Sequence, residues 1–168
     1  MIKYLLVIFI ILTALSGDEL DGYLAYNDGN FTTAASLFEQ GCADNKMVDC
    51  VSLGTLYFRG KGVIKDQEKA MKLFYLGCEG KEVKGCLALG HIFYLGKAVK
   101  EDKKIAKRYY TEACQLGHVQ SCVLVGAMLQ KGIGTPKDLA AAKKLFIQAC
   151  KNGNARGCKA LYSLESTH

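Results

Sequence analysis

Proline occurs once in 168 residues and histidine only three times. A chain so poor in proline carries few helix breakers, so a largely helical fold is expected. His91, His118 and His168 are scattered and form no H-E-x-x-H or comparable pair of ligands, which removes the usual zinc hydrolase reading. G-x-S-x-G, a Walker loop, a dinucleotide fingerprint and C-x-x-C are also missing. Their absence argues against acyl-transfer elbows, nucleotide chemistry and thioredoxin-like redox work, and no metal or cofactor is expected. GKGV at 60–63 and KGIG at 131–134 look like phosphate-loop fragments, but both fall in turns of the repeat described below. Long apolar runs are lacking too. The one candidate, Tyr4 to Leu15, falls short of the about 20 residues that a membrane-spanning helix needs.

That run follows a single Lys3 and leads into Ala14-Leu15-Ser16 before Gly17, the small-x-small pattern of a cleaved secretory signal. Residues 1–16 are read as signal peptide and 17–168 as the mature domain, secreted or periplasmic. No cysteine follows the run to take a lipid, so membrane contact is expected only through the signal before cleavage. Half the residues are hydrophobic and 23% are charged, as in a folded domain. A net charge of +6 permits contact with anionic surfaces without demanding it. Nucleic acid is a poor partner for an exported chain, and a monomer is expected.

The sequence repeats every 36 residues, and all eight cysteines lie on that lattice, as Cys42/Cys50, Cys78/Cys86, Cys114/Cys122 and Cys150/Cys158. Ala34, Ala70, Ala106 and Ala142 are in register, as are the aromatics Phe38, Phe74, Tyr110 and Phe146. So are Gly54, Gly90 and Gly126, then Gly60, Gly96 and Gly132, then Asp66, Asp102 and Asp138. The units run over 31–66, 67–102, 103–138 and a shortened 139–164. Within a unit, Ala70, Leu73, Phe74, Gly77 and Cys78 mark one helical face, and Cys86, Leu89, Gly90 and Phe93 mark a second. Each unit is therefore an antiparallel helix pair. The glycines at 60, 96 and 132 stop the second helix, and the aspartates open the next one as N-caps. Four such pairs make an all-α fold, an α/α solenoid.

The alanines and Gly54, Gly90 and Gly126 are read as packing positions that let the following repeat come close. In the last unit Tyr162 stands where that glycine would be and Glu165 where an aromatic would be, since no further repeat needs the space. GYLAYNDGN at 22–30 is off the lattice and is read as a partial capping helix.

Eight cysteines allow 105 connectivities, but each unit brings its own pair to the turn of a hairpin, within disulfide reach. Pairing within units gives Cys42–Cys50, Cys78–Cys86, Cys114–Cys122 and Cys150–Cys158, each bridge adding up to about 2.6 kcal/mol by loop entropy. Zinc prefers tighter spacing, C-x₂₋₄-C; metal or redox use is the alternative. Basic runs at Lys103, Lys104, Lys107 and Arg108 and at Lys143 and Lys144 are either a solvated helix face or an anion site. His91 is read as a helix-surface residue. Asn30-Phe31-Thr32 is a glycosylation sequon with Asp28 two residues before it, and Asn30 also suits a helix N-cap.

The unit A-x-x-L-F-x-x-x-C-x₇-C-x-x-L-G-x-x-[YF]-x-x-G, seen from Ala70 to Gly96, resembles the Sel-one-like repeat, a relative of the tetratricopeptide repeat. With its C-x₇-C it is similar to the disulfide-bridged branch of that family, the Helicobacter cysteine-rich proteins, over about residues 22–164. The resemblance implies an exported solenoid with one disulfide per repeat, and such a stapled solenoid is read as a binding module whose concave surface engages a protein, peptide or cell-wall ligand. A host protein or peptidoglycan is among the partners implied. It also implies, as the alternative, weak β-lactamase activity with penicillin binding. S-x-x-K, S-D-N and K-T-G are missing here, so no catalytic residue can be named.

Overall fold

The computed structural model describes residues 18–166. The expected signal segment, 1–16, and His168 lie outside those residues. Nine α-helices and no strand occur among the described residues: α1 Asp18–Asn27, α2 Phe31–Ala43, α3 Met47–Arg59, α4 Gln67–Glu79, α5 Val83–Leu95, α6 Lys103–Gln115, α7 Val119–Lys131, α8 Leu139–Lys151 and α9 Ala155–Glu165. The fold is all-α. None of these helices is long and apolar enough to cross a membrane.

Aspartate opens the first helix of a pair and glycine closes the second. Asp66, Asp102 and Asp138 accept the backbone N–H of Lys69, Ile105 and Ala141 at 2.8, 2.9 and 2.8 Å. Each supplies an acceptor to one of the four N–H groups that a helix start leaves unpaired. Asn30 does the same for α2, accepting from Thr33 at 3.3 Å. Gly60, Gly96 and Gly132 end α3, α5 and α7 at φ of 67°, 65° and 73°, a left-handed conformation that a Cβ disfavours.

The chain divides into two compact units, Met1–Gly80 and Lys81–His168. In the first, each helix packs on its successor from α1 to α4. The core is Ala34, Ala35, Phe38, Leu53 and Leu56, with Tyr23, Tyr26 and Leu73 packed against it. In the second, the same next-neighbour order runs from α5 to α9. One cluster there holds Ala106, Tyr110, Val125 and Met128, and another holds Ala142, Phe146 and Leu164. Burial that depends on the adjacent helix pair is the energetic basis of a solenoid.

Ala34, Ala70, Ala106 and Ala142 are all fully buried. A Cβ built at Gly54 would lie 2.9 Å from the Phe74 ring, one at Gly90 2.6 Å from Tyr110, and one at Gly126 2.5 Å from Phe146. Those approaches are shorter than carbon–carbon contact allows, so the aromatic of the next pair occupies the space a side chain would fill. The amino-terminal helix departs from the sequence reading in one respect. Beyond capping the array, α1 uses the same device, since a Cβ at Gly22 would lie 2.8 Å from Phe38. It behaves as the second helix of a pair, so the capping helix expected at 22–30 is half a repeat in its own right, running Asp18–Asn27 ahead of the four pairs. At the other end Tyr162 is 74% exposed, and Glu165 pairs with Lys143 at 2.7 Å.

Candidate functional site

The cysteines sit at the turns of the pairs. Cys42 and Cys50, Cys114 and Cys122, and Cys150 and Cys158 are bridged, with Cα atoms 4.6, 4.8 and 4.5 Å apart. Cys78 and Cys86 are disulfide-bonded as well, and no described cysteine is free. A bridged sulfur offers no thiolate, so these residues supply neither a nucleophile nor a metal ligand. Inside each turn one residue has positive φ: Asn45 at 61°, Lys81 at 65°, Gly117 at 92° and Gly153 at 76°. These four are themselves 36 residues apart, a lattice position that the sequence reading missed.

Chemistry gathers instead on α6. One face of this helix is buried through Ala106, Tyr109, Tyr110, Ala113 and Cys114. Its other face carries Lys104, Lys107, Arg108, Thr111 and Gln115 at helical spacing. The turn after α7 lies along the start of this face, where a Cβ at Gly134 would collide with the Lys103 carbonyl. Gly134 has φ of 65° and no side chain, so it meets both the backbone and the contact requirement. Helix face and turn together enclose a groove of about 910 Å³ that reaches Thr135 and Pro136. That volume lies within the range of ligand-binding clefts, about 300–1,000 Å³.

The charges around the groove differ in what they already hold. Lys103 is engaged: its ammonium donates to the Tyr94 carbonyl at 2.8 Å, sits 3.8 Å from the Tyr94 ring centre and pairs with Glu101 at 3.2 Å. Asp102 is occupied as the N-cap. Lys104 and Lys107 make no side-chain hydrogen bond or ion pair among the described residues. Arg108 lies 4.9 Å from the Tyr109 ring centre, which orients the guanidinium and leaves its donors available. Of the two hydroxyls, that of Thr111 donates to the Lys107 carbonyl at 2.8 Å. Glu112 also lines the groove, so Lys104, Lys107 and Arg108 stand against two carboxylates, Asp102 and Glu112, and the lining is net positive, a surface that suits an added carboxylate.

The second basic run is arranged differently. Lys143 pairs with Glu165 and lines a smaller cleft of about 440 Å³ with Leu139, Ala140 and Leu164. His91 is on the helix surface, with its ring centre 5.5 Å from that of Tyr110. Partial burial is the main reason its pKa falls below 6.5, and the charge of His118 adds to the fall. Burial likewise pushes the Tyr110 phenol up to about 12. His118 caps α7, where its Nδ1 accepts the Ser121 N–H at 3.3 Å.

Comparison with known proteins gives a consistent result. The Sel1 repeat family matches residues 50–81, 83–118 and 119–154, stretches that begin at or near the second helix of a pair. Helicobacter pylori cysteine rich protein B is 30% identical, with a TM-score of 0.58, over 75% of this chain and 90% of that one. A Sel1 repeat protein from Oxalobacter formigenes is 23% identical, with a TM-score of 0.69, over 75% of this chain and 95% of its own. A protective antigen of uropathogenic Escherichia coli with the same kind of fold gives a TM-score of 0.77 at 24% identity. It covers 88% of this chain, which spans 32% of that longer protein. No curated protein matches the sequence.

Proposed function

The chain belongs to the Sel1 repeat family, and on that premise we propose that it is an exported interaction module that holds an acidic segment of a partner protein in the α6 groove. The observation that carries this reading is the set of cations at Lys104, Lys107 and Arg108, presented along one face beside the Gly134 turn. Lys104 and Lys107 lack a carboxylate partner among the described residues, so a ligand carboxylate would not have to displace one. Disulfides suit a compartment outside the cytosol, which supports export.

Affinity from such a surface is electrostatic and falls with added salt, because exposed charges are screened over about 8 Å at physiological ionic strength. The test is binding of a fluorescent oligoglutamate peptide to the oxidised protein at low and high salt. Lys104→Glu with Lys107→Glu is expected to weaken binding about tenfold or more at low salt, a change of about 1.4 kcal/mol. Lys151→Glu, outside the groove, should leave it within about twofold. Losses that scale with the charge removed, four units in the groove variant against two in Lys151→Glu, would show that net charge, not the groove, does the binding. The other activity implied by resemblance, β-lactam hydrolysis, gains no support from Thr111, whose hydroxyl is spent on a helix carbonyl. A chromogenic β-lactam is expected to show no turnover that follows this protein through gel filtration.

A further inference from the structure

The turn between α1 and α2 carries a motif that the interaction reading leaves unused. Asp28-Gly29-Asn30-Phe31-Thr32 contains N-x-T, with a carboxylate two residues before the asparagine. Asp28, Gly29, Asn30 and Thr32 are exposed. Gly29 has φ of 78°, and a Cβ there would meet nothing within 4 Å, so the Asp28–Asn30 side of the turn opens onto free space, while the Gly62 turn packs on the backbone of Phe31 and Thr32. At first sight the N-cap role of Asn30 competes with modification. The chemistry separates the two roles, because the cap uses the side-chain oxygen: Oδ1 accepts the Thr33 N–H at 3.3 Å. The amide nitrogen Nδ2 makes no hydrogen bond among the described residues, and Nδ2 is the atom that N-glycosylation modifies. A glycosylated asparagine keeps its carbonyl oxygen as acceptor and can still cap α2.

We propose that Asn30 is a glycan acceptor whose Nδ2 takes an oligosaccharide while its Oδ1 goes on capping α2. The donor class is a lipid-pyrophosphate-linked oligosaccharide, delivered by a membrane oligosaccharyltransferase. Nδ2 attacks the anomeric carbon, the N–C bond forms and the C–O bond to phosphate breaks. The lipid pyrophosphate leaves with the electron pair, and the amide proton passes to a base of the transferase. Thr32 lies in the first turn of α2, so transfer fits a chain that is still crossing the membrane, or one whose first turn has frayed. The glycan would add bulk and hydration at the α1–α2 turn without occupying the core.

This inference rests on the export reading, and its test keeps the two apart. The full chain is expressed in cells with and without an oligosaccharyltransferase and its lipid-linked donor, and the Asn30 peptide and the cysteine state are read by mass spectrometry. The expected result is a glycan mass on Asn30 only where the transferase is present. It should disappear in Asn30→Asp, which keeps a capping oxygen and lacks the nitrogen, and in Thr32→Ala. Thermal stability of Asn30→Asp should match the unmodified parent, which shows that the loss is not one of folding. An unmodified Asn30 in oxidised, leader-free protein from transferase-positive cells overturns the glycan proposal alone. An unmodified Asn30 in reduced protein that retains residues 1–16 overturns both readings.

Discussion

Single residues show how tightly the repeats are fitted. At Gly90 a methyl group would lie 2.6 Å from the Tyr110 ring, which is itself fully buried. Forcing that methyl in costs roughly 1–3 kcal/mol, while alanine regains about 1 kcal/mol of helix propensity over glycine. Gly90→Ala is therefore expected to lower stability by about 1 kcal/mol in chemical denaturation, and Gly90→Tyr by considerably more. The opposite sign is expected at Ala98, which holds φ of 70° where the lattice elsewhere has Gly62 and Gly134. Relief of left-handed strain, about 1–2 kcal/mol, exceeds the added chain entropy of glycine, so Ala98→Gly should stabilise by about 0.5–1 kcal/mol. His91 gives a pH signature. Its folded pKa lies below 6.5, so the unfolded state binds more protons, and this contribution to stability is complete above pH 6.5. It is lost as pH falls from 6.5 through the folded value. NMR titration should find His91 below 6.5, and His91→Gln should flatten the fall in stability between pH 7 and 5.

Helices and turns account for what could and could not be read from sequence. The ends of the helices were legible because their devices are one letter each: aspartate to open, glycine to close. Asp102→Ala should cost about 1 kcal/mol through the lost cap. The positive-φ position inside each cysteine turn was hidden because Asn45, Lys81, Gly117 and Gly153 share no residue type, only a conformation. The role of α1 was hidden by a length change. Gly22 and Ala34 are 12 residues apart, where Gly54 and Ala70 are 16 apart, so a fixed lattice steps over the homologous glycine. The groove was half visible. Its cations stand in a row in the sequence, but Thr135 and Pro136 reach α6 only because Gly134 lets its turn touch the helix backbone. Nothing in the spelling of KGIGTP states that contact.

In the molecule as a whole, stability is a sum of neighbouring pairs, with short covalent closures added at the turns. Each bridge closes a short loop and adds up to about 2.6 kcal/mol in the chain-entropy account. Reduction should therefore lower the denaturation midpoint while much of the helical signal survives below it, because the apolar stripes remain. Non-reducing peptide mapping should find only pairs within a repeat, with Cys78 joined to Cys86. The placement of charge is the part of the account that bears on function. The protein carries +6 overall, yet Lys69, Lys103 and Lys143 are already paired with Glu39, Glu101 and Glu165. Lys104, Lys107 and Arg108 are among the cations that no carboxylate holds in an ion pair among the described residues, and they are grouped along one groove. The most direct measurement is the salt-dependent binding of oligoglutamate to oxidised parent protein, to Lys104→Glu/Lys107→Glu and to Lys151→Glu. Loss of binding in the groove variant, with the Lys151 variant close to the parent, is the predicted result. Binding that ignores the groove and follows net charge alone would contradict the account.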